Sequence, residues 1–236
     1  KFKHGLEELN ITLTDEQIEQ FLQYYEMLVE KNKVMNLTGI TEYEEVIQKH
    51  FLDSLSLIRV IPDIASQKLT VIDLGTGAGF PGIPLKIAFP ELEITLMDSL
   101  NKRILFLQEV IDALGLKKVS AVHGRAEEMA SNATHRQQYD LCVSRAVSNL
   151  AVLTEYCLPF VKKGGLFVSY KSADSDAEIQ EGKKAISILG GKLTSVDKFQ
   201  LPDSDLRRAL VCIKKVKDTP KKYPRKAGTP AKLPLK

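Results

Sequence analysis

Twelve residues restrict this chain more than any other stretch: Val71-Ile72-Asp73-Leu74-Gly75-Thr76-Gly77-Ala78-Gly79-Phe80-Pro81-Gly82. A β-type apolar run carries an acid near its end and then meets glycines at 75, 77, 79 and 82. Glycine enters positive φ cheaply and lets a ligand approach the backbone with no Cβ in the way. A strand feeding such a turn, with a helix after it, is how open α/β sheets hold adenosine cofactors at the carboxyl ends of their strands.

The surrounding pattern agrees with a sheet of this kind. Residues 1–62 read as a helical cap region. Thr14-Asp15-Glu16-Gln17 is a capping box opening a helix over about 15–32, with Ile18, Phe21, Leu22, Tyr25, Leu28 and Val29 at helical spacing. Thr41-Glu42-Tyr43-Glu44 reads as a second capping box, and Val46, Ile47, Phe51, Leu52, Leu55 and Ile58 mark one face of a helix running toward Pro62. From 63 to 216 strand alternates with helix. Strands are expected at 69–74, 92–97, 119–123, 141–144 and 166–170. Helices are expected from Pro84, over 102–114, over 149–160 and over 178–189. Repeated βαβ units imply a mostly parallel sheet with right-handed crossovers. Two late apolar runs, 193–199 and 209–216, have no good helix between them and predict an antiparallel hairpin at one edge.

Charge is unevenly spread. Residues 214–236 hold nine Lys or Arg and one acid, leaving 24 bases against 29 acids in the rest. The net +3 therefore conceals a basic tail on a mildly acidic body. Residues 217–236 alternate bases with Pro224, Pro230, Pro234 and Gly228, a composition expected to be extended and mobile, with salt-dependent affinity for RNA or, as the rival role, generic solubility. No apolar run approaches the ~20 residues needed to span a bilayer, and the basic start lacks the apolar core of a signal peptide. Cys142, Cys157 and Cys212 sit singly in apolar contexts, as buried thiols of a cytoplasmic protein do. Asn36-Leu37-Thr38 therefore reads as a chance glycosylation sequon.

The glycine loop contains GxGxxG, from Gly77 to Gly82, which alone is weak support for a dinucleotide. Three features oppose a pyrophosphate. The turn begins at Gly75, directly behind a strand end containing Asp73. Pro81 and Pro84 remove two of the N–H donors that a phosphate needs at a helix N-terminus. Asp73 would also lie near the phosphates and repel them. S-adenosylmethionine carries no phosphate, so Gly75 and Gly77 suit its close approach. Asp98, at the end of the second strand, occupies the place where an acid accepts ribose hydroxyls. A nicotinamide oxidoreductase and a glycine turn without a ligand remain as rival readings. Arg145 follows Leu141-Cys142-Val143 at a strand end, where substrate and cofactor meet; a surface ion pair near Asp140 is its bland alternative. No Asp/Asn-Pro-Pro-Tyr box follows the fourth strand. His4, His123 and His135 lack metal-ligand spacing, and no metal is expected.

Several motifs in order resemble the glucose-inhibited division protein B (GidB) family. They are Asn36-Leu37-Thr38, His50-Phe51-Leu52-Asp53-Ser54-Leu55, the run from Asp73 to Leu85, Asp98-Ser99 with Lys102-Arg103, and Ser144-Arg145-Ala146. The resemblance covers roughly residues 10–215. It implies a class I S-adenosylmethionine-dependent methyltransferase fold with a helical N-terminal extension, acting on N7 of a guanine in bacterial 16S ribosomal RNA. Carried onto matching positions, cofactor contacts would fall on Gly75, Phe80, Ala126, Glu127 and Arg145. The tail resembles the ending of Gram-positive members. Guanine N7 has a lone pair and no proton, so the reaction needs alignment rather than a general base. Arg145 is then the candidate catalytic residue, through guanine O6, an RNA phosphate or the cofactor, because donating to N7 would block it. Asn36, His50, Lys102, Arg103, Arg125 and Lys171 are candidates for RNA contact, against solvated or structural roles for each. The expected state is a monomer. A small-molecule methyltransferase and a non-catalytic RNA-binding module stand as alternatives.

Overall fold

A computed structural model describes residues 1–145 and 147–235. Its centre is a seven-stranded sheet in the order β3-β2-β1-β4-β5-β7-β6. The strands are β1 (Thr70–Leu74), β2 (Glu93–Asp98), β3 (Val119–His123), β4 (Tyr139–Arg145), β5 (Val161–Ser172), β6 (Gly191–Gln200) and β7 (Arg207–Lys215). The first five pair in parallel, while β7 pairs antiparallel with both β5 and β6. The expected parallel sheet and antiparallel edge hairpin are therefore both present. β1 lies between two parallel neighbours, and Val71 to Leu74 are buried on both faces, which is why this strand reads as a continuous apolar run.

The helices are α1 (Phe2–Glu8), α2 (Asp15–Met35), α3 (Tyr43–Val46), α4 (Asp53–Leu55), α5 (Gly82–Ala88), α6 (Asn101–Ala113), α7 (Ala126–Met129), α8 (Leu150–Cys157), α9 (Asp176–Ile188) and α10 (Thr229–Lys232). Both halves of the first capping box form, with Gln17 N–H on Thr14 Oγ1 at 3.2 Å and Thr14 N–H on Gln17 Oε1 at 2.8 Å. Gln17 then donates Nε2–H to the Ile87 carbonyl at 2.8 Å, docking α2 on the end of α5. The N-terminal region shares one apolar cluster with this face of the sheet. Phe21, Tyr24 and Phe51 belong to it together with Phe80, Ile83 and Leu107. A second cluster on the other face joins α8 and α9 to β4, β5 and β7.

Two expectations need correction. The second capping box does not form: α3 starts after Glu42 without a side-chain cap, and the Thr41 carbonyl instead accepts Tyr25 O–H at 3.0 Å. The single helix expected from there to Pro62 is a relay of α3, a π-helical stretch Ile47–Leu52, α4 and a 3₁₀ turn Ser56–Arg59. A π-helical insertion rotates the residues after it about the helix axis, and such insertions concentrate at functional sites.

The C-terminal segment differs too. Where an extended mobile tail was expected, Thr219 and Tyr223 are buried and residues 219–235 lie against the body. Arg136 donates to the carbonyls of Thr219 and Tyr223 at 3.0 and 2.8 Å, and Arg225 pairs with Glu155 of α8 at 2.7 Å. Glu155 is fully buried, and a buried carboxylate demands such a partner. All three cysteines are buried and free. Among the described residues, no helix is long and apolar enough to cross a membrane.

Candidate active site

Asp73 sits beneath the glycine loop. Its Oδ2 accepts Thr76 O–H at 2.6 Å and Gly82 N–H at 2.8 Å, and the carboxyl is fully buried. Burial pushes its pKa up to about 7, against the lowering effect of those two hydrogen bonds. The acid thus fastens the start of α5 to β1 from the inside. A Cβ at Gly82 would stand 2.8 Å from the same Oδ2, so only glycine fits there.

The donors at the start of α5 are spent internally. Gly79 and Phe80 N–H bond the Thr76 carbonyl, Ile83 N–H bonds the Gly79 carbonyl, and Gly82 N–H is on Asp73. Positions 81 and 84 are prolines. A pyrophosphate would therefore find no free N–H from Gly79 to Pro84, which strengthens the sequence argument and supplies its structural cause.

Asp98, at the carboxyl end of β2, braces the loop from the other side. Oδ2 accepts Gly77 N–H at 2.9 Å and Oδ1 accepts Leu100 N–H at 2.9 Å, with Arg103 at 3.2 Å. Gly77 holds φ +61°, and a Cβ there would meet nothing within 4 Å: the loop leaves open space on the ligand side. Gly75, Asp98, Ala126 and Glu127 line one cleft with the apolar walls Met97 and Val147; its volume is about 360 Å³, within the ~300–1,000 Å³ usual for small-molecule sites. Arg125 also reaches this cleft, at the N-cap of α7. Glu127 lies in the first turn of that helix and accepts Gly228 N–H at 3.0 Å.

A second cleft of about 350 Å³ opens at the end of β4 and β5. Arg145 is its centre. One guanidinium nitrogen donates to the Lys49 carbonyl and to Asp53 Oδ2, both at 2.8 Å, and the other lies 2.8 Å from His50 Nδ1. The π-helical stretch presents the Lys49 carbonyl and the His50 ring together to this one side chain. Arginine has no acceptor, so His50 Nδ1 must accept and Nε2 must carry the proton toward Thr38 Oγ1, 2.9 Å away. Burial and the Arg145 charge push the His50 pKa down to about 3, leaving the ring neutral. The partner of Arg145 is Asp53; Asp140 instead meets Thr70 and Lys162. Arg208 of β7 approaches the same Asp53 at 3.4 Å, and Lys49 and Lys171 complete a basic rim.

The structure sorts the remaining sequence candidates. Phe80 lines neither cleft: it is buried, stacks on His50 with centroids 4.3 Å apart, and carries the Arg145 guanidinium 5.2 Å above its ring. Phe80 thus backs the basic cleft from beneath His50 and Arg145. Arg103 is committed to Asp98. Lys171 donates to the Ser148 carbonyl at 2.6 Å and pairs with Glu178. Lys102 is exposed at the start of α6. Asn36 is exposed in the left-handed turn ending α2, two residues before Thr38. Ala146 of the Ser-Arg-Ala motif lies outside the described residues. Sequence reasoning missed Asp53, Arg208 and Tyr170, whose buried hydroxyl donates to the Ser54 carbonyl at 2.7 Å. Asp53 stood inside a quoted motif, but nothing local marks Arg208, which reaches the cleft only through the β5–β7 pairing opposite Ser172.

Solved structures of similar fold include M. jannaschii TYW2 in complex with AdoMet, with a TM-score of 0.52 and 14% identity over 68% of this chain and 74% of that one. MtNAS in complex with MTA and tNA reaches a TM-score of 0.54 at 12% identity, covering 84% and 71% of the two chains. Sequence relatives are far nearer. Ribosomal RNA small subunit methyltransferase G of Lachnoclostridium phytofermentans is 58% identical over 99% of this chain and 96% of its own length. Its namesake in Alkaliphilus metalliredigens is 54% identical over 99% and 97%. The family model for rRNA small subunit methyltransferase G matches residues 17–211. With the glycine loop, the two clefts and these relatives in view, the chain belongs to the GidB family of small-subunit rRNA methyltransferases.

Proposed function

We propose that this protein transfers the methyl group of S-adenosylmethionine to N7 of a guanine in 16S ribosomal RNA. The observation that carries the reading is the pairing of a cleft beside the glycine loop, whose N–H groups from Gly79 to Pro84 are all engaged internally, and a basic cleft at adjacent strand ends. Gly75, Asp98, Ala126 and Glu127 form the cofactor side, with Gly77 holding Asp98 through its N–H and Met97 and Val147 as apolar walls for a base. S-adenosylmethionine bound there supplies an electrophilic methyl group on a sulfonium.

The basic cleft is the RNA side. Lys49, Arg145, Lys171 and Arg208 line it with Asp53 as the acid between them, while Lys49 and Lys171 also pair with Glu45 and Glu178 at the rim, a lining suited to phosphate. Exposed Lys102 and Arg125 extend positive charge past the cofactor cleft, and Asn36 stands near the rim through Thr38. Three of the five N–H groups of Arg145 are occupied by Lys49, Asp53 and His50, which fixes the plane of the guanidinium. The remaining edge can reach guanine O6 or a phosphate while leaving N7 unblocked. His50 and Phe80 hold Arg145 from beneath. No base is needed: His50 is neutral with both ring nitrogens engaged, and the Asp53 carboxylate is held between Arg145 and Arg208. Rate enhancement then comes from alignment. The protein works as a cytoplasmic monomer, on naked 16S rRNA or on the small subunit, without a metal.

Titration with S-adenosylmethionine and, separately, NAD while following thermal unfolding tests the cofactor. Labelled methyl transfer to naked 16S rRNA and to assembled small subunits tests the substrate. Stabilisation by S-adenosylmethionine alone and label in the RNA are expected. Stabilisation by NAD, or label in neither RNA form, would sink the proposal.

A further inference from the structure

We infer that residues 219–235 form a strap that completes the cofactor cleft, and that docking of the strap sets cofactor affinity. The inference rests on the reading of that cleft as the S-adenosylmethionine site.

The strap is fastened at three places. Arg225 donates Nε–H and Nη2–H to the Glu155 carboxylate at 2.9 and 2.7 Å, and its own backbone N–H reaches Oε1 at 2.9 Å. Arg136 holds the carbonyls of Thr219 and Tyr223. Tyr223 and Pro230 are buried, the latter where α10 packs on α8. From these anchors the chain runs to Gly228, which lines the cofactor cleft beside Tyr156 and Arg125. There Gly228 N–H bonds Glu127 Oε1 at 3.0 Å. The tail thus contributes a wall and also fixes a carboxylate inside the site.

Release of the strap would undo each of these. Glu127 would lose its backbone donor, the cleft would open to water on one side, and Glu155 would be left buried and unpaired. Binding and docking are then linked: a ligand that prefers the docked strap stabilises docking by the factor that docking stabilises the ligand. Gly228, Glu127 and Arg225 are positioning residues in this scheme. The exposed lysines of the strap, Lys221, Lys222 and Lys226, make the docked state readable with trypsin.

Limited trypsin digestion of the full chain, with and without S-adenosylmethionine, is the primary test. The cofactor should slow cleavage in the strap of the wild type. Arg225→Ala should be cleaved there faster and should bind S-adenosylmethionine about tenfold or more weakly, the size of a lost charge-assisted hydrogen bond. It should raise KM for S-adenosylmethionine and leave kcat and KM for RNA near wild type. The wild-type protection assay decides the matter even if Arg225→Ala folds poorly. Equal strap cleavage with and without saturating cofactor, or weaker strap docking with affinity within about twofold of wild type, would overturn the inference. Failure of S-adenosylmethionine to bind the wild type at all would remove the cleft assignment itself, and the inference with it.

Discussion

Replacing Asp98 with asparagine keeps the shape of the side chain but removes one acceptor from a carboxylate whose two oxygens are both in use. Oδ2 takes Gly77 N–H and Oδ1 takes Leu100 N–H, each at 2.9 Å, while Arg103 lies 3.2 Å from Oδ2. Asparagine offers one carbonyl oxygen and one NH₂. Either orientation therefore turns a donor toward a backbone N–H. Asp98 is only 3% exposed, so orphaning the part-buried Gly77 N–H beside it costs about 1–3 kcal/mol, and the partly exposed Arg103 pair adds roughly 0–1 kcal/mol. The expected loss of folding stability is about 1–4 kcal/mol, read by urea denaturation. If the amide faces Gly77, the loop loses the bond that holds its left-handed turn. Affinity for S-adenosylmethionine, measured by calorimetry, should then fall about tenfold or more, the equivalent of about 1.4 kcal/mol. Asp98→Asn with stability within about 0.5 kcal/mol of wild type, and unchanged affinity, would refute the bracing role.

Two buried groups should leave opposing marks on stability against pH. His50, pushed from 6.5 down to about 3, is neutral when folded, so its contribution is full above pH 6.5 and is lost as pH falls toward 3. Asp73, pushed from 3.8 up to about 7, is protonated when folded, so its contribution is full below 3.8 and is lost as pH rises toward 7. Each slope is about 1.4 kcal/mol per pH unit, and they nearly cancel between about pH 4 and 6.5. Denaturation series should show His50→Gln losing stability as pH rises through this window and Asp73→Asn gaining it; unchanged profiles in both variants would contradict the two assignments. Arg145→Lys keeps the charge but cannot span Lys49, Asp53 and His50 as a planar fork does. Steady-state kinetics should show kcat down roughly a hundredfold, from two lost charge-assisted hydrogen bonds, with KM for S-adenosylmethionine little changed. Near wild-type turnover would take Arg145 out of the alignment.

What the sequence made visible, and what it hid, follows the range of the interactions. β1, the glycine turn and the acid at the end of β2 were legible because period, burial and φ are written locally in Val71–Gly82 and Asp98. Thr14 and Gln17 announced the start of α2 for the same reason. The π-helical stretch was invisible, since Val46 to Leu55 keep an apolar face under either register. What selects it is the demand of Arg145, 92 residues beyond Asp53, for a carbonyl, a carboxylate and an imidazole at once. Phe80 reads equally well as a cofactor contact or a core anchor until the His50 and Tyr24 rings are seen against it. The basic tail misled most. Its composition is that of a mobile segment, but a few residues decide otherwise: Tyr223 finds an apolar face and Arg225 finds the one buried acid of α8. Glu155 gave no warning, because a glutamate in a helix is ordinarily solvated.

The most direct test is to map the modified atom. Small subunits and naked 16S rRNA from cells lacking this methylation would be incubated with the purified protein and S-adenosylmethionine. The RNA would then be treated with borohydride and aniline, which cleave the strand where a guanine is methylated at N7, and the product sized at single-nucleotide resolution. A single new cleavage at one guanine, absent without cofactor and formed far more slowly with Arg145→Lys, is the expected result. Methyl transfer to the RNA with no such cleavage would contradict N7 as the target and the base-free alignment built on it.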